Sequence, residues 1–189
     1  MNSNLFKILE FLIVLICTIF FSAVVCFVLD YKLFSISNFG FQLFIFALLT
    51  TFINFSNKYL KLMESIILAA FWGFVLAYFL KRTSVFNDFG SFYMLLLYTE
   101  LLMISFALVY TKLWKARKVH LRGLLFSIFA AVAYTFVHLF MHQILAMQID
   151  ARQVLYYFSN GLVITLTMSF ALNIAFQINN SIQKNFFSK

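Results

Sequence analysis

The sequence predicts an all-α integral membrane protein, a single domain over residues 1–189 built as a bundle of about six transmembrane helices. Of its residues, 64% are hydrophobic and only 11% are charged. Soluble domains are about 45–50% apolar and about 25% charged, so a core of ordinary size could not bury this much apolar surface. In addition, the chain contains six apolar runs whose lengths approach the roughly 20 residues that a helix needs to cross a bilayer.

The predicted spans, in chain order, cover about residues 8–29, 33–55, 65–80, 92–113, 123–148 and 154–178. The first follows Lys7 as the apolar part of a signal peptide would. Its run of more than 18 apolar residues is too long for that, so we expect a retained helix. The second has an apolar part of only 41–55, and its helix is expected to begin earlier, near Leu33. "SIILAAFWGFVLAYFL" forms the third, and the last three runs are long enough to cross without extension.

The distribution of Lys and Arg predicts that both termini are cytoplasmic. Ten of the 14 basic residues fall at the N-terminus, in the second and fourth connections and in the C-terminal tail, against four in the other connections. Connections rich in Lys and Arg stay on the cytoplasmic side of a membrane. Topology and attraction to anionic lipid therefore explain the net charge of +8, and no nucleic-acid partner is expected.

A basic stretch, "KLWKARKVHLR", connects the fourth and fifth spans. The simplest interpretation is that it fixes the orientation of the protein in the membrane. The alternative is a cytoplasmic docking patch for an acidic partner or for anionic lipid headgroups. Its basic residues are Lys112, Lys115, Arg117, Lys118 and Arg122.

Three ionisable side chains are predicted at membrane depth. Glu100 lies in the fourth span, and His138 and His142, four residues apart, share one face of the fifth. Counted from the ends of the spans, all three lie roughly 9–15 Å below the outer boundary at 1.5 Å per residue. Because an ionisable group inside a membrane needs a partner, we expect Glu100 to form a hydrogen bond with His138 or His142.

The two histidines allow three interpretations: structural hydrogen bonds, a proton-linked role, or a metal or haem site. A zinc site needs three or four ligands, and "HLFMH" lacks the glutamate of the HExxH motif. We therefore favour structural hydrogen bonds and expect no metal or cofactor. The nucleophile elbow, the Walker glycine loop and paired-carboxylate motifs are also absent from the sequence.

Two stretches give the chain a family resemblance over roughly residues 64–180. "GFVLAYFLKRTSVFNDFGSFYMLLLYTELL" joins two spans through a short polar loop that ends in Phe-Gly, and "DARQVLYYFSNGLVITLTMSF" opens the last span with Asn160-Gly161. With six spans, this layout resembles MreD, the small membrane subunit of the bacterial rod-shape system. Family members commonly carry an acidic residue where this chain has Lys81-Arg82, and they often have prolines, of which this chain has none.

The resemblance implies a non-enzymatic scaffold in the bacterial inner membrane. Such a protein binds the bitopic protein MreC and helps couple cytoplasmic MreB filaments to RodA and a penicillin-binding transpeptidase. For this role we expect the basic stretch to make cytoplasmic contacts and Asn160-Gly161 to let the last span approach a neighbour closely. Asn87, Asp88 and Gly90 are expected to shape the outer loop.

Two other functions remain open. The MreD fold is thought to resemble the six-helix substrate-capture subunits of energy-coupling factor transporters. In a capture subunit, the outer half of the bundle would enclose a polar site lined by Glu100, His138, His142 and Asn160. A haem-binding or respiratory-complex subunit is a third possibility, which rests on the histidines alone.

Overall fold

The computed structural model describes residues 3–29, 36–59, 62–82, 91–113 and 119–187. All regular structure in these ranges is helical, and the predicted all-α membrane bundle is confirmed. The helices are α1 (Ser3–Val28), α2 (Ile36–Tyr59), α3 (Leu62–Arg82), α4 (Phe92–Leu113), α5 (Val119–Ile144) and α6 (Ala151–Phe187). Five of them are long and apolar enough to cross a membrane, whereas the apolar part of α2 is limited to Phe39–Phe55.

Helices that are consecutive in the chain pack side by side, and α2 also contacts α4 and α6. Contacts between α1 and α2 show that the pair is antiparallel. The Thr18 and Thr51 hydroxyls are 3.0 Å apart near the middle, and Cys26 faces Gly40 near one end. Tyr98, near the start of α4, contacts His138, near the end of α5, so this pair is antiparallel too. Because six helices alternate in direction, the start of α1 and the end of α6 lie on one face of the bundle, called here the termini face.

The central position of α2 explains its composition. Its buried side chains are Phe39, Gln42, Leu43, Ile45, Phe46, Ala47, Leu49, Thr50, Thr51 and Ile53. A helix surrounded by other helices can carry amide and hydroxyl groups that would be costly against lipid, because neighbouring helices supply partners. Because of these polar residues, the apolar run visible in the sequence is shorter than the helix, which has 24 residues.

The turn between α5 and α6 is tighter than predicted. We expected the fifth span to end near residue 148, but α5 ends at Ile144 because Ala146 adopts a left-handed backbone, with φ 53°. The Met147 N–H then donates to the His142 carbonyl, a Schellman cap. On the other side, the Gln153 side-chain oxygen accepts from the Asp150 N–H and starts α6. This helix continues to Phe187, nine residues beyond the predicted limit of 178.

Small side chains allow α5 and α6 to approach closely. A Cβ added at Gly161 would lie 3.0 Å from the Tyr134 side chain and 3.1 Å from the Ala131 Cα. Further along the interface, the Ser127 and Ser169 hydroxyls are 3.0 Å apart. The expectation that Gly161 permits close approach is confirmed, and its neighbour is α5. The interface follows a small-xxx-small pattern on both helices, with Gly123, Ser127 and Ala131 facing Gly161, Thr165 and Ser169.

Candidate functional site

His138 is a buried ring whose two nitrogens both have partners. Its Nδ1 lies 2.8 Å from the Tyr134 carbonyl oxygen on the preceding turn of α5, and its Nε2 lies 2.7 Å from the Tyr98 hydroxyl of α4. A carbonyl oxygen can only accept, so Nδ1 carries the proton and donates. The neutral ring then accepts the Tyr98 proton at Nε2, which avoids placing a charge away from water. This bond ties α4 to α5.

His142, one turn further along α5, binds Tyr157 of α6. The His142 Nε2 and the Tyr157 hydroxyl are 2.6 Å apart. The same tyrosine ring stacks on His138, with centroids 4.3 Å apart and an interplanar angle of 26°. The prediction that the two histidines share one face of their helix is therefore confirmed, because both contact Tyr157.

Tyr134 extends these contacts to the central helix. Its hydroxyl donates to the Gln42 side-chain oxygen of α2 at 3.0 Å, and its ring lies 4.2 Å from the His138 ring. Four helices thus meet in one group of hydrogen bonds and ring contacts, which we call the Tyr–His cluster. Its members are Gln42, Tyr98, Tyr134, His138, His142 and Tyr157.

The predicted bond from Glu100 to a histidine is wrong. Glu100 faces α3, and a Cβ added at Gly73 would lie 3.0 Å from its carboxyl carbon and 3.1 Å from either carboxyl oxygen. The predicted helix face was wrong, since residues two apart on a helix point in nearly opposite directions. Tyr98, two residues before Glu100, takes the position beside His138.

Asn160, the remaining predicted polar residue, is buried on α6, one turn after Tyr157. Its side-chain oxygen has no hydrogen-bond partner, and neither has the Nδ1 atom of His142. Both atoms belong to the same end of the bundle as the α5–α6 turn. They are the polar atoms near the Tyr–His cluster that the described part of the chain leaves unsatisfied.

The other predicted residues lie mainly outside the described ranges. This holds for Asn87, Asp88 and Gly90 of the loop before α4, and for Lys115, Arg117 and Lys118 of the basic stretch. Lys112 is exposed in the last turn of α4, on the termini face, and Arg122 belongs to the first turns of α5. The role of this stretch stays a prediction.

Most side-chain nitrogens and hydroxyls of the Tyr–His cluster are bonded to other groups of the chain. His138 has no nitrogen left for a metal or a haem iron, and His142 offers only Nδ1. Within the described ranges, no group of three or more His, Cys, Asp or Glu side chains could hold a metal ion. An internal cavity beside Tyr134 measures about 10 Å³, room for at most one water molecule.

A larger opening lies on the termini face, between α1, α2 and α3. This apolar cleft has a volume of about 470 Å³, within the usual range for ligand pockets. Lys7 and Glu64 stand among its lining residues near the helix ends. The rest of the lining is apolar and consists of Ile8, Phe11, Phe52, Phe55 and Leu68.

Sequence reasoning found the histidines but missed the tyrosines and Gln42. A signal was available for Tyr134, which precedes His138 by four residues and so shares its helix face. For Tyr98, Tyr157 and Gln42 the sequence showed only a polar side chain within an apolar run. Their hydrogen-bond partners could not be predicted, because these lie 40, 15 and 92 residues away in the chain, respectively.

Comparisons of this chain with protein-family models, with curated proteins and with solved structures found no match. The resemblance to MreD therefore stays a hypothesis that rests on the layout of the sequence. What the structure establishes is a multi-pass helical bundle suited to a lipid bilayer.

Proposed function

We propose that the protein is a non-enzymatic membrane scaffold of the MreD type. In this role it binds a bitopic membrane protein related to MreC. Through that protein it helps couple MreB filaments to RodA and a penicillin-binding transpeptidase in cell-wall synthesis. The observation that carries the proposal is that tyrosine and histidine side chains between α4, α5 and α6 bond to one another, whereas large apolar side chains are exposed on the outer surfaces of the bundle.

The bonds within the Tyr–His cluster favour a scaffold over a transporter's capture subunit. A capture subunit holds its substrate in an enclosed site with polar groups directed inward. Here Glu100 faces away from the histidines, and both nitrogens of His138 are bonded within the chain. The cavity of about 10 Å³ beside Tyr134 is far smaller than a vitamin would require.

The open surfaces fit a protein that associates within the membrane. Large apolar side chains are exposed along α1, α3, α4, α5 and α6, whereas the described part of α2 exposes Phe44 alone. Some of the exposed side chains are grouped around the cleft on the termini face. Lipid covers such surfaces by default, and a partner helix can replace lipid wherever packing is better. On α1 the exposed stripe comprises Leu5, Ile8, Leu12, Ile16 and Phe20.

The proposed location is the bacterial inner membrane with the termini face toward the cytoplasm. Support comes from the described basic residues on that face, Lys7, Lys112 and Lys184, together with the basic stretch after α4. In this orientation the basic stretch lies on the same side as MreB filaments, and the cluster end of the bundle faces outward.

A capture subunit is the second candidate, and one observation favours it. The Nδ1 atom of His142 and the side-chain oxygen of Asn160 are buried without partners. Buried polar atoms are rarely left in that state, and a bound ligand would satisfy them.

Affinity purification from the native membrane in a mild detergent tests both candidates. Recovery of an MreC-like bitopic protein, with or without RodA and a transpeptidase, would support the scaffold. Recovery of paired ATPases with a coupling subunit would instead identify a capture subunit. A tagged, unrelated six-span protein is the control for nonspecific recovery. An absorbance spectrum of the same preparation tests the haem hypothesis, which requires a Soret band that His138→Ala removes.

A further inference from the structure

Glu100 lies deep in the bilayer region of α4. It is eight residues from the start of the helix at Phe92 and 13 from its end at Leu113. At 1.5 Å per residue it is about 12 Å from one end and about 20 Å from the other. Since the hydrocarbon core is about 30 Å thick, this carboxyl group is inside it.

Among the residues that the structure describes, none is a polar partner of this carboxyl group. It lies against Gly73 of α3, where an added Cβ would be only 3.0 Å from the carboxyl carbon. Within the described ranges, Glu100 makes no hydrogen bond and no ion pair. It is only half-buried, so part of its surface faces out of the bundle.

Glu100 also belongs to the face of α4 that the bundle leaves open. Positions 93, 97, 100, 104 and 108 follow the i, i+4, i+7 spacing of one helix face. Tyr93, Leu97 and Leu108 on this face are exposed. Tyr98, which reaches the Tyr–His cluster, points to the opposite side. Beside this face, α3 exposes a parallel stripe, Ile67, Phe71, Phe74 and Tyr78.

A hydrogen-bond donor from another molecule would stabilise a carboxyl group in this position. Acyl chains have neither donors nor acceptors, so lipid cannot satisfy it, and polar groups left unsatisfied in hydrocarbon are costly. A second membrane-spanning helix can supply the donor, because hydrogen bonds between helices are an established source of association in membranes.

We propose that the α3–α4 face is the docking surface for the transmembrane helix of the bitopic partner, with Glu100 as its polar contact. The partner helix carries a side-chain N–H donor, of Lys, Arg, Asn or Gln, at the depth of Glu100. The large apolar side chains of the two stripes pack against the rest of that helix. This inference rests on the proposed scaffold function and assigns its binding surface.

Site-specific photocrosslinking in native membranes tests the assignment. A photoreactive amino acid is placed at Leu97, which is 41% exposed and one turn from Glu100. Matched positions are Phe136 on α5, 68% exposed, and Ile8 in the apolar cleft, 58% exposed. The expected result is an adduct from Leu97 alone, to a single-spanning protein. Its crosslinked peptide should contain a Lys, Arg, Asn or Gln residue within one helical turn.

Substitutions at Glu100 then separate a polar contact from mere proximity. Glu100→Gln keeps an acceptor and should retain the adduct. Glu100→Leu should reduce the yield about tenfold, the size of effect expected for one hydrogen bond between helices. Thermal unfolding of both variants in detergent checks that the bundle remains folded. Equal yields from the folded Leu variant and the unaltered protein would overturn the proposal.

Failure of the inference and failure of the proposed function give different results. If an MreC-like protein co-purifies but crosslinks from Ile8 or Phe136 and not from Leu97, the scaffold stands and this docking surface is wrong. If Leu97 crosslinks to another single-spanning protein with a matching polar residue, the surface stands and the named partner is wrong. Adducts to lipid or to a second copy alone overturn the docking surface.

Discussion

The hydrogen bond between Tyr98 and His138 should contribute measurably to the stability of the bundle. Tyr98→Phe removes one hydroxyl group, leaves the ring volume in place, and strands the His138 Nε2 atom without its donor at 2.7 Å. Leaving a buried partner unsatisfied costs about 1–3 kcal/mol in soluble proteins. In a membrane bundle, side-chain hydrogen bonds average about 0.6 kcal/mol and reach about 1.7 kcal/mol. Because both residues are buried and the bond is short, we expect about 1–1.5 kcal/mol.

A double-mutant cycle isolates this bond from the other contacts of the two residues. Tyr98 makes a further interaction within the chain, and His138 stacks on Tyr157, so single substitutions alone would overstate the bond. The cycle combines Tyr98→Phe with His138→Phe, which keeps an aromatic ring in the stack. Unfolding free energies are measured by titrating a denaturing detergent into mixed micelles and following circular dichroism. A coupling near 1 kcal/mol is expected.

The control cycle pairs Tyr98→Phe with Thr18→Val, which removes the separate hydroxyl contact between α1 and α2. These two substitutions should be additive within about 0.3–0.5 kcal/mol, since the sites share no partner. A Tyr98–His138 coupling no larger than that of the control would refute the reasoning, because it would show that the cluster does not stabilise the contact between α4 and α5.

Three further outcomes are expected. Gly161→Ala should destabilise the bundle by about 1–3 kcal/mol through crowding against α5. Gly40→Ala is the control and should be neutral or stabilising, because its added Cβ meets only an ordinary contact at 3.4 Å. Detergent unfolding compares the stabilities of the two variants. Ala146→Gly should raise the unfolding free energy by roughly 0.5–1 kcal/mol, because glycine adopts the left-handed backbone without steric cost, and an unchanged midpoint would contradict the assigned cap. In a background without the native cysteines, a membrane-impermeant thiol reagent applied to intact cells should label Gln148→Cys but not Lys184→Cys, and the reverse pattern would invert the proposed orientation.

Local sequence signals were sufficient where the physics is local. Composition and the length of the apolar runs predicted a helical membrane bundle, because a bilayer requires continuous helices of about 20 residues. The same reasoning located α3 and α4 within a few residues. The predicted end of α5 was four residues too late. A glycine at position 146 would have indicated a left-handed helix cap, but the residue there is alanine.

The candidate site shows the limit of the same approach. The i, i+4 spacing of His138 and His142 correctly placed both rings on one helix face, because that relation depends only on helix geometry. The spacing could not say which helix supplies their partners. Depth alone made Glu100 an attractive choice, yet rotation of α4 about its axis turns Glu100 toward Gly73 and gives the position beside His138 to Tyr98.

The sequence by itself determined the class of the protein, the number of its helices and the face that its histidines share, because each follows from solvent transfer and helix periodicity. Only the tertiary structure decided that α2 lies at the centre, that tyrosines satisfy the histidines, and that Glu100 is directed away from them. Those outcomes depend on the rotation and packing of whole helices. These are set by side-chain fit between residues 15 to 92 positions apart, which no local pattern encodes.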